Sequence, residues 1–598
     1  MGRMELGRRQ LFRMMGAIGV VAVAPQAAFQ ASARAASRLS GASYRGKFTK
    51  ALPKPSRFTF TTKKTSVTVD ATQFTQQVLT GYPKTKLYGY GIAGKKPSWP
   101  GPTIEATAGK TVHITWRNRL PTGTKKITAT GGHLLPVDAT LLDAEVRALP
   151  AGQKPLVTHL HGAHAEWESD GYPMAWATQN GRKGSMWMKA VSTYDNSQTG
   201  GTLWYHDHTM GITRLNVYAG LAGTYLLRDK RERDLIADHV LPAAAYEREL
   251  IIQDRAFTDD GQLFMQTETN PGGGIEPSVF YDFVTVNGVP WPVLDVQPRK
   301  YRLRLVNGSD SRMYVLKLSN GKPFLVIGND LGLMRTAVNA TTLPLAPGER
   351  YDVIVDFTGM KKNTTVTVTN AGIDGSLMGF TDAAGNVTNR PSGVAFGDGV
   401  AADKASTALV LRFRVRKALS KTPKGSVRAG TTLGAVLTTP KVTNTRKLII
   451  FRGTDGRGRD MEMLGTLGGG TFEWMDKVTE VVKKGATEIW EIHNTSLVAH
   501  PIHLHLVHFK VLDRAPFSFT STPMAMSDGG SGAMVTVTGT GKRRSPETFE
   551  RGPKDTVICY PGEITRLVAT FDRKGNYVWH CHELHHEDHD MMRPLQVR

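Results

Sequence analysis

Short runs in which apolar and polar residues alternate, bounded by Gly, Pro and Asn, recur along the whole chain. In Gly109-Lys110-Thr111-Val112-His113-Ile114-Thr115-Trp116-Arg117-Asn118 every second residue from Val112 to Trp116 is apolar. A strand sends successive side chains to opposite faces, so this period of two predicts a strand with one buried face. The layout returns in Gly485-Ala486-Thr487-Glu488-Ile489-Trp490-Glu491-Ile492-His493-Asn494, with glycine and asparagine equally spaced, and again in Pro298-Arg299-Lys300-Tyr301-Arg302-Leu303-Arg304-Leu305-Val306-Asn307. A second echo pairs Pro347-Gly348-Glu349 and residues 351–357 with Pro561-Gly562-Glu563 and residues 566–571. A third sets Leu203-Trp204-Tyr205-His206-Asp207-His208 beside Val578-Trp579-His580-Cys581-His582, with Asp207 in the place of the cysteine. These repeats predict three related units at 45–230, 245–415 and 445–598, each a β-sandwich, in an all-β protein. Residues 416–444, rich in Lys, Thr, Gly and Pro, predict a linker. Residues 518–553, rich in Gly, Ser and Thr and carrying Met524, Met526 and Met534, predict a loop insertion in the third unit.

Length and composition agree with several turn-rich β domains: 598 residues exceed one hydrophobic core, and 40% hydrophobics accompany 62 Gly and 31 Pro. Ahead of the first unit, Arg8-Arg9-Gln10-Leu11-Phe12 is a twin-arginine motif, followed by an apolar run over 14–24 and by Ala33-Arg34-Ala35-Ala36. That order predicts a signal peptide over 1–36 and export by the twin-arginine route to the periplasm, cell surface or exterior. The run is too short to span a bilayer, so no transmembrane segment is expected in the mature protein. Of the two cysteines, Cys559 reads as a buried strand residue, and a chain of this length needs no disulfide. The formal charge of +23 is scattered, and its densest cluster, Lys542-Arg543-Arg544, accompanies no nucleic-acid motif. A solvated cationic surface is expected, not a nucleic-acid partner.

Near the C-terminus the chemistry becomes specific. In His580-Cys581-His582 the alternation turns the thiolate to one face and both imidazoles to the other, so one strand can serve two metal sites. His586 and Met591 follow Cys581 at steps of five residues; with one distant histidine they make the ligand set of a blue-copper centre. Most of the other histidines that matter cluster as His159-Leu160-His161, His206-Asp207-His208 and His500-Pro501-Ile502-His503-Leu504-His505, and none lies between His239 and His493. The middle unit is therefore expected to supply no imidazole, and the first and third to face each other. The pairs 159/161, 206/208, 503/505 and 580/582 give eight imidazoles, enough for three coppers when one takes two and two take three each. His500, Cys581, His586 and Met591 remain for the blue site. One such pair alone would be read as ordinary core or surface histidine; four pairs with the cysteine argue for a metal assembly.

Thr158-His159-Leu160-His161-Gly162, Trp204-Tyr205-His206-Asp207-His208, the run from His500 to His505 and the closing run from His580 to Met592 together resemble the multicopper oxidases, over nearly all of the chain after the signal. Ser169-Asp170-Gly171-Tyr172-Pro173 and Thr213-Arg214-Leu215-Asn216-Val217-Tyr218-Ala219-Gly220 resemble the branch with bacterial spore-coat laccases, bilirubin oxidases and phenoxazinone synthase. The resemblance implies three cupredoxin-like Greek-key β-sandwich domains holding four copper ions, one in a blue mononuclear site and the rest in a trinuclear cluster. It assigns His159 and His503 to the single copper of the cluster, and His161, His206, His208, His505, His580 and His582 to its dinuclear pair. Asp170 and Glu587 match acidic residues near the cluster and are assigned proton supply, a role that overlaps with orienting ligating histidines. Met591 as axial group, where fungal laccases often have a non-ligating residue, implies a lower potential.

The implied activity is of laccase type: one-electron oxidation of phenolic or aromatic-amine donors, coupled to reduction of O2 to water. Electrons enter at the blue copper and pass through Cys581 to His580 and His582. A bilirubin-like tetrapyrrole is an alternative donor, and the methionines of 518–553 open a cuprous-ion oxidase alternative, because thioethers favour Cu(I). A copper-storing or structural envelope protein of this fold is expected to have lost a cluster ligand, and none is missing. A copper nitrite reductase has no need of four histidine pairs in one chain.

Overall fold

The computed structural model describes residues 39–266, 275–381, 387–388 and 400–598, so the signal peptide expected over 1–36 lies outside the described residues. Among the described residues the six larger sheets form three pairs, each pair around its own apolar core, and two further sheets have two short strands each. The three alternating repeats occupy equivalent places. Strands Val112–Arg119, Lys300–Asn307 and Ala486–Asn494 each run parallel to an earlier strand, respectively Ser66–Gln76, Glu247–Phe257 and Asn444–Thr454. In the second and third pairs the turn-then-strand echo follows: Arg350–Asp356 and Glu563–Phe571 lie antiparallel on the other side of the repeat strand. The alternation explains the packing, since Val112 and Ile114, Leu303 and Leu305, and Trp490 and Ile492 all point into their cores. Each fully buried side chain of this kind contributes about 1.5–3 kcal/mol.

The partner sheet of the first pair ends in the neighbouring strands Gly201–Asp207 and Thr158–His161, and that of the third places His500–Leu504 beside Gly575–Cys581. These four strands carry the histidine pairs, with His208, His505 and His582 immediately past the strand ends.

One expectation changes. Residues 518–540 are not a loop insertion: strands Phe509–Ala525 and Ser531–Thr540 make one long antiparallel hairpin, closed around Ser527-Asp528-Gly529-Gly530 with Gly529 at φ 91°. Thr and Val recur in both arms and Phe in the first, and β-branched and aromatic residues favour a pleated strand even where Ser and Gly dilute them. Residues 416–443 carry no strand, yet the segment is not detached. Val427 and Leu433 are fully buried against Leu235, Ile327 and Ile354, and the Arg299 guanidinium donates to the Thr422 carbonyl at 2.8 Å.

Candidate metal centre

Strand register brings the histidines together. Across the antiparallel ladder His206 lies opposite His159, and in the third pair His503 lies opposite His580. A residue two further along a strand returns to the same face, which adds His161, His208, His505 and His582. All eight are buried, and their ring nitrogens gather in three groups whose potential ligand atoms lie within 4.8 Å of one another: His159/His503/His505, His161/His206/His582 and His208/His505/His580. Within these groups, His161 Nδ1 is 3.1 Å from His582 Nε2, and His208 Nε2 and His505 Nε2 are 3.4 and 3.3 Å from His580 Nε2.

The outward nitrogens are held by backbone and carboxylates. His159 Nδ1 meets the Asp170 carbonyl at 2.5 Å, His206 Nδ1 the Asp207 carbonyl at 2.7 Å, His503 Nδ1 the Asp555 carbonyl at 2.8 Å and His580 Nδ1 the Cys581 carbonyl at 2.9 Å. A ring N–H donating to a carbonyl leaves Nε2 as a lone pair, and Nε2 of His159, His206 and His503 has no hydrogen-bond partner although fully buried. Burial also depresses the pKa of His206 and His503 to about 3, and those of His159, His161, His208, His505 and His582 well below the ordinary range. Buried imidazoles crowded together, three of them with an unpaired Nε2, are costly alone and suited to metal cations.

Because side chains alternate, Cys581 turns away from this cluster. Its Sγ lies 3.6 Å from His500 Nδ1 and 3.7 Å from His586 Nδ1. The short helix Leu584–Asp588 brings His586 back to the thiol, and Met591 is buried in the same core, its N–H donating to the His586 carbonyl at 2.9 Å. The other histidines of this run are diverted: His585 Nδ1 meets Asp310 at 2.6 Å and His589 Nε2 meets Asp455 at 3.2 Å. Burial, and after it Glu583, push the Cys581 thiol well up; a bound metal cation reverses that by taking the thiolate. The corresponding position in the first sheet pair is Asp207, whose carboxylate is satisfied by Thr209, Asn216 and the Val157 N–H.

Asp170 and Glu587 both touch cluster histidines. Asp170 Oδ2 is 2.6 Å from His505 Nδ1, while its Oδ1 makes no hydrogen bond and lies 3.7 Å from His159 Nδ1, and burial pushes this carboxyl well above the usual carboxylate range. Glu587 lies 3.4 Å from His208 Nδ1 and 3.1 Å from His580 Nδ1.

Sequence reasoning missed the second sheet pair's contribution. Gly348 stands over the His582 ring, and Asp555, held by Arg350, reaches His161 at 3.2 Å. No local pattern marks them, because Arg350 and Asp555 are 205 residues apart.

Family models described as multicopper oxidase match residues 146–232, 256–381 and 453–598. The chain is 36% identical over 562 residues to a laccase of Bacillus subtilis (strain 168), covering 92% of this chain and 98% of that one. It is 33% identical over 541 residues to Multicopper oxidase LPR1 of Arabidopsis thaliana, covering 86% and 85%. The crystal structure of McoA multicopper oxidase from Aquifex aeolicus matches with a TM-score of 0.65 at 25% identity, over 92% of this chain and 99% of the other.

Proposed function

Since the chain belongs to the multicopper oxidase family and is an oxidoreductase, we propose that it is a laccase-type enzyme oxidising phenolic or aromatic-amine donors at the expense of dioxygen. The observation that carries this reading is one strand, Gly575–Cys581, whose thiol faces His500 and His586 while His580, with His582 beyond the strand end, faces the histidine cluster. The donor set fits copper: neutral imidazoles with unpaired nitrogens at the cluster, soft sulfur with imidazole at Cys581. We assign one ion to His500, Cys581, His586 and Met591, one to His159 and His503, and two to the remaining six histidines.

Bound copper supplies one-electron redox chemistry at the Cys581 group and reduction of dioxygen to water at the histidine groups. The chain supplies the rest. The Cys581 backbone joins the thiol directly to both neighbouring imidazoles. Complete burial of the eight histidines keeps bulk water and partly reduced oxygen apart. Asp170 Oδ1, buried and without a hydrogen bond, is the atom placed to hold a proton beside His505 and His159, and Glu587 sets a buried carboxylate beside His208 and His580. The twin-arginine motif supports export, with cleavage near Ala36.

Oxygen uptake by the copper-loaded protein with a phenolic donor, with peroxide assayed, tests the reading: uptake without peroxide is expected. His503→Ala should keep the blue colour and stop oxygen uptake; unchanged uptake would show that the cluster is misassigned.

A second reading rests on the buried cluster of Met461, Met463 and Met526, with Met524 against it, beside Glu462, whose Oε2 is 3.4 Å from His500 Nε2. A buried thioether cluster on the strand that carries Glu462 suits Cu(I) as donor. Shortening the 518–540 hairpin should then abolish Cu(I) oxidation and spare phenol oxidation; Cu(I) turnover left intact sinks this alternative.

A further inference from the structure

Of the eight cluster histidines, His161 is held from the opposite side. His159, His206, His503, His505, His580 and His208 have Nδ1 against a carbonyl or carboxylate, which leaves Nε2 for the cluster. His161 instead turns Nδ1 inward, 3.1 Å from His582 Nε2, and places Nε2 3.2 Å from Asp555 Oδ1 and 3.2 Å from Thr556 Oγ1. A carboxylate can only accept, so Nε2 carries the proton and the Nδ1 lone pair faces the cluster.

Asp555 is itself fixed from the second sheet pair. Arg350 grips it with two parallel bonds, Nη1 to Oδ1 and Nη2 to Oδ2, each 2.5 Å. Both side chains are fully buried, and the planar guanidinium fork matches a carboxylate in this geometry. Asp330, also of the second pair, accepts from the N–H groups of Arg350, Asp555 and Thr556 at 2.8, 3.2 and 3.3 Å. Lys554 beside it is buried between Asp330 and Glu349 at 3.1 and 3.0 Å. The segment 554–556 is thus pinned by groups from the sheet pair that offers no imidazole. From this one segment the Asp555 carbonyl orients His503, and the Asp555 side chain orients His161.

We propose that Asp555, clamped by Arg350, is a positioning residue of the cluster: its carboxylate imposes the ring orientation and tautomer of His161, and so decides which nitrogen that histidine offers to copper. The inference rests on the assignment of the histidine cluster to copper. Direct ligation by Asp555 does not fit, because both of its oxygens already accept from Arg350 and Oδ1 also accepts from Thr556 Oγ1 at 2.9 Å. Carboxylate partners of ligating histidines set tautomer and basicity, and losing one typically costs about 10–100-fold in metal affinity.

The test uses the full copper-loaded chain, dialysed against a chelator, with copper counted per chain and the blue absorption as internal standard. Two variants separate positioning from folding. The double variant Asp555→Ala/Arg350→Met removes both charges together, so that neither is left buried and unpaired. Asp555→Asn keeps the size but lets an amide nitrogen face His161 Nε2, so the tautomer is no longer imposed. Both should keep the blue copper and release cluster copper about 10–100-fold more readily. If the double variant loses the blue band too, it has lost its fold, and Asp555→Asn carries the reading alone. Cluster copper held by Asp555→Asn as tightly as by the unsubstituted chain overturns the proposal, and so does parallel loss of blue and cluster copper from that variant, which a merely structural role produces. An unsubstituted chain that takes up copper only at the blue site overturns instead the cluster assignment beneath it.

Discussion

Gly348 shows how much of the centre depends on single atoms. Its backbone sits at φ 82°, and a Cβ there would lie 2.7 Å from both Cγ and Cδ2 of His582. Only glycine combines that conformation with so close an approach. Gly348→Ala should therefore push the His582 ring, destabilise the protein by about 1–3 kcal/mol and lower cluster copper while sparing the blue band. Thermal unfolding together with copper counting checks this; an alanine variant with full copper would mean that the ring tolerates the methyl. Asp207 makes the complementary point. It occupies the cysteine's place in the first sheet pair, but its four hydrogen bonds commit it to Thr209, Asn216 and Val157, so that strand turns donors to the histidine cluster only, where its counterpart also turns a thiol to His500 and His586.

A strand's period of two is the device at the level of elements. Within Gly575–Cys581 it separates thiol from imidazole while leaving them joined by one peptide link on each side, a path that no helix offers with such opposed faces. Cys581→Ser should remove the intense blue absorption and the oxidase activity in a folded protein; phenol turnover that survives would count against electron entry at this residue. The period then breaks at Leu584–Asp588, where a short helix redirects His586 to the thiol and sends His585 and His589 to Asp310 and Asp455. The hairpin Phe509–Ala525 with Ser531–Thr540 belongs to the same scale: it sets Met524 and Met526 beside Met461 and Met463 as a rigid element.

Across the whole molecule, buried ion pairs tie the sheet pairs together. Arg304 reaches Glu247 at 2.9 Å and Thr202 Oγ1 of the first pair at 3.0 Å, and Arg302 shares Glu232 with it at 2.8 Å. Removing one partner leaves a buried charge uncompensated, so Arg304→Ala should cost about 3–5 kcal/mol in thermal or denaturant unfolding. A loss below about 1 kcal/mol would show that water reaches the pairs. On the proposed assignment, copper held between the first and third sheet pairs would tie those bodies together by mass action. At a thousandfold excess over its dissociation constant a ligand adds about 4 kcal/mol, so chelation should lower the melting temperature, more for the unsubstituted chain than for His503→Ala. Equal melting with and without copper would argue against sites shared between the first and third sheet pairs.

Alternation and repeat spacing alone determined the all-β class, the equivalence of Val112–Arg119, Lys300–Asn307 and Ala486–Asn494, and the residue types at the centre, because these are local properties of the chain. The His-x-His pairs were legible for the same reason: two residues on one strand face carry their geometry with them. Sequence composition misread 518–540, since Thr and Ser suit turns and strands alike until a partner strand fixes the register. Only the tertiary structure decided that Gly348, Arg350 and Asp330 bear on the cluster, and that His161 turns Nδ1 inward where its neighbours turn Nε2. Those facts depend on contacts between residues hundreds of positions apart, such as Arg350 with Asp555 and His161 with Asp555. A ring nitrogen's role is set by what packs against the other nitrogen, and no local pattern along the chain records that.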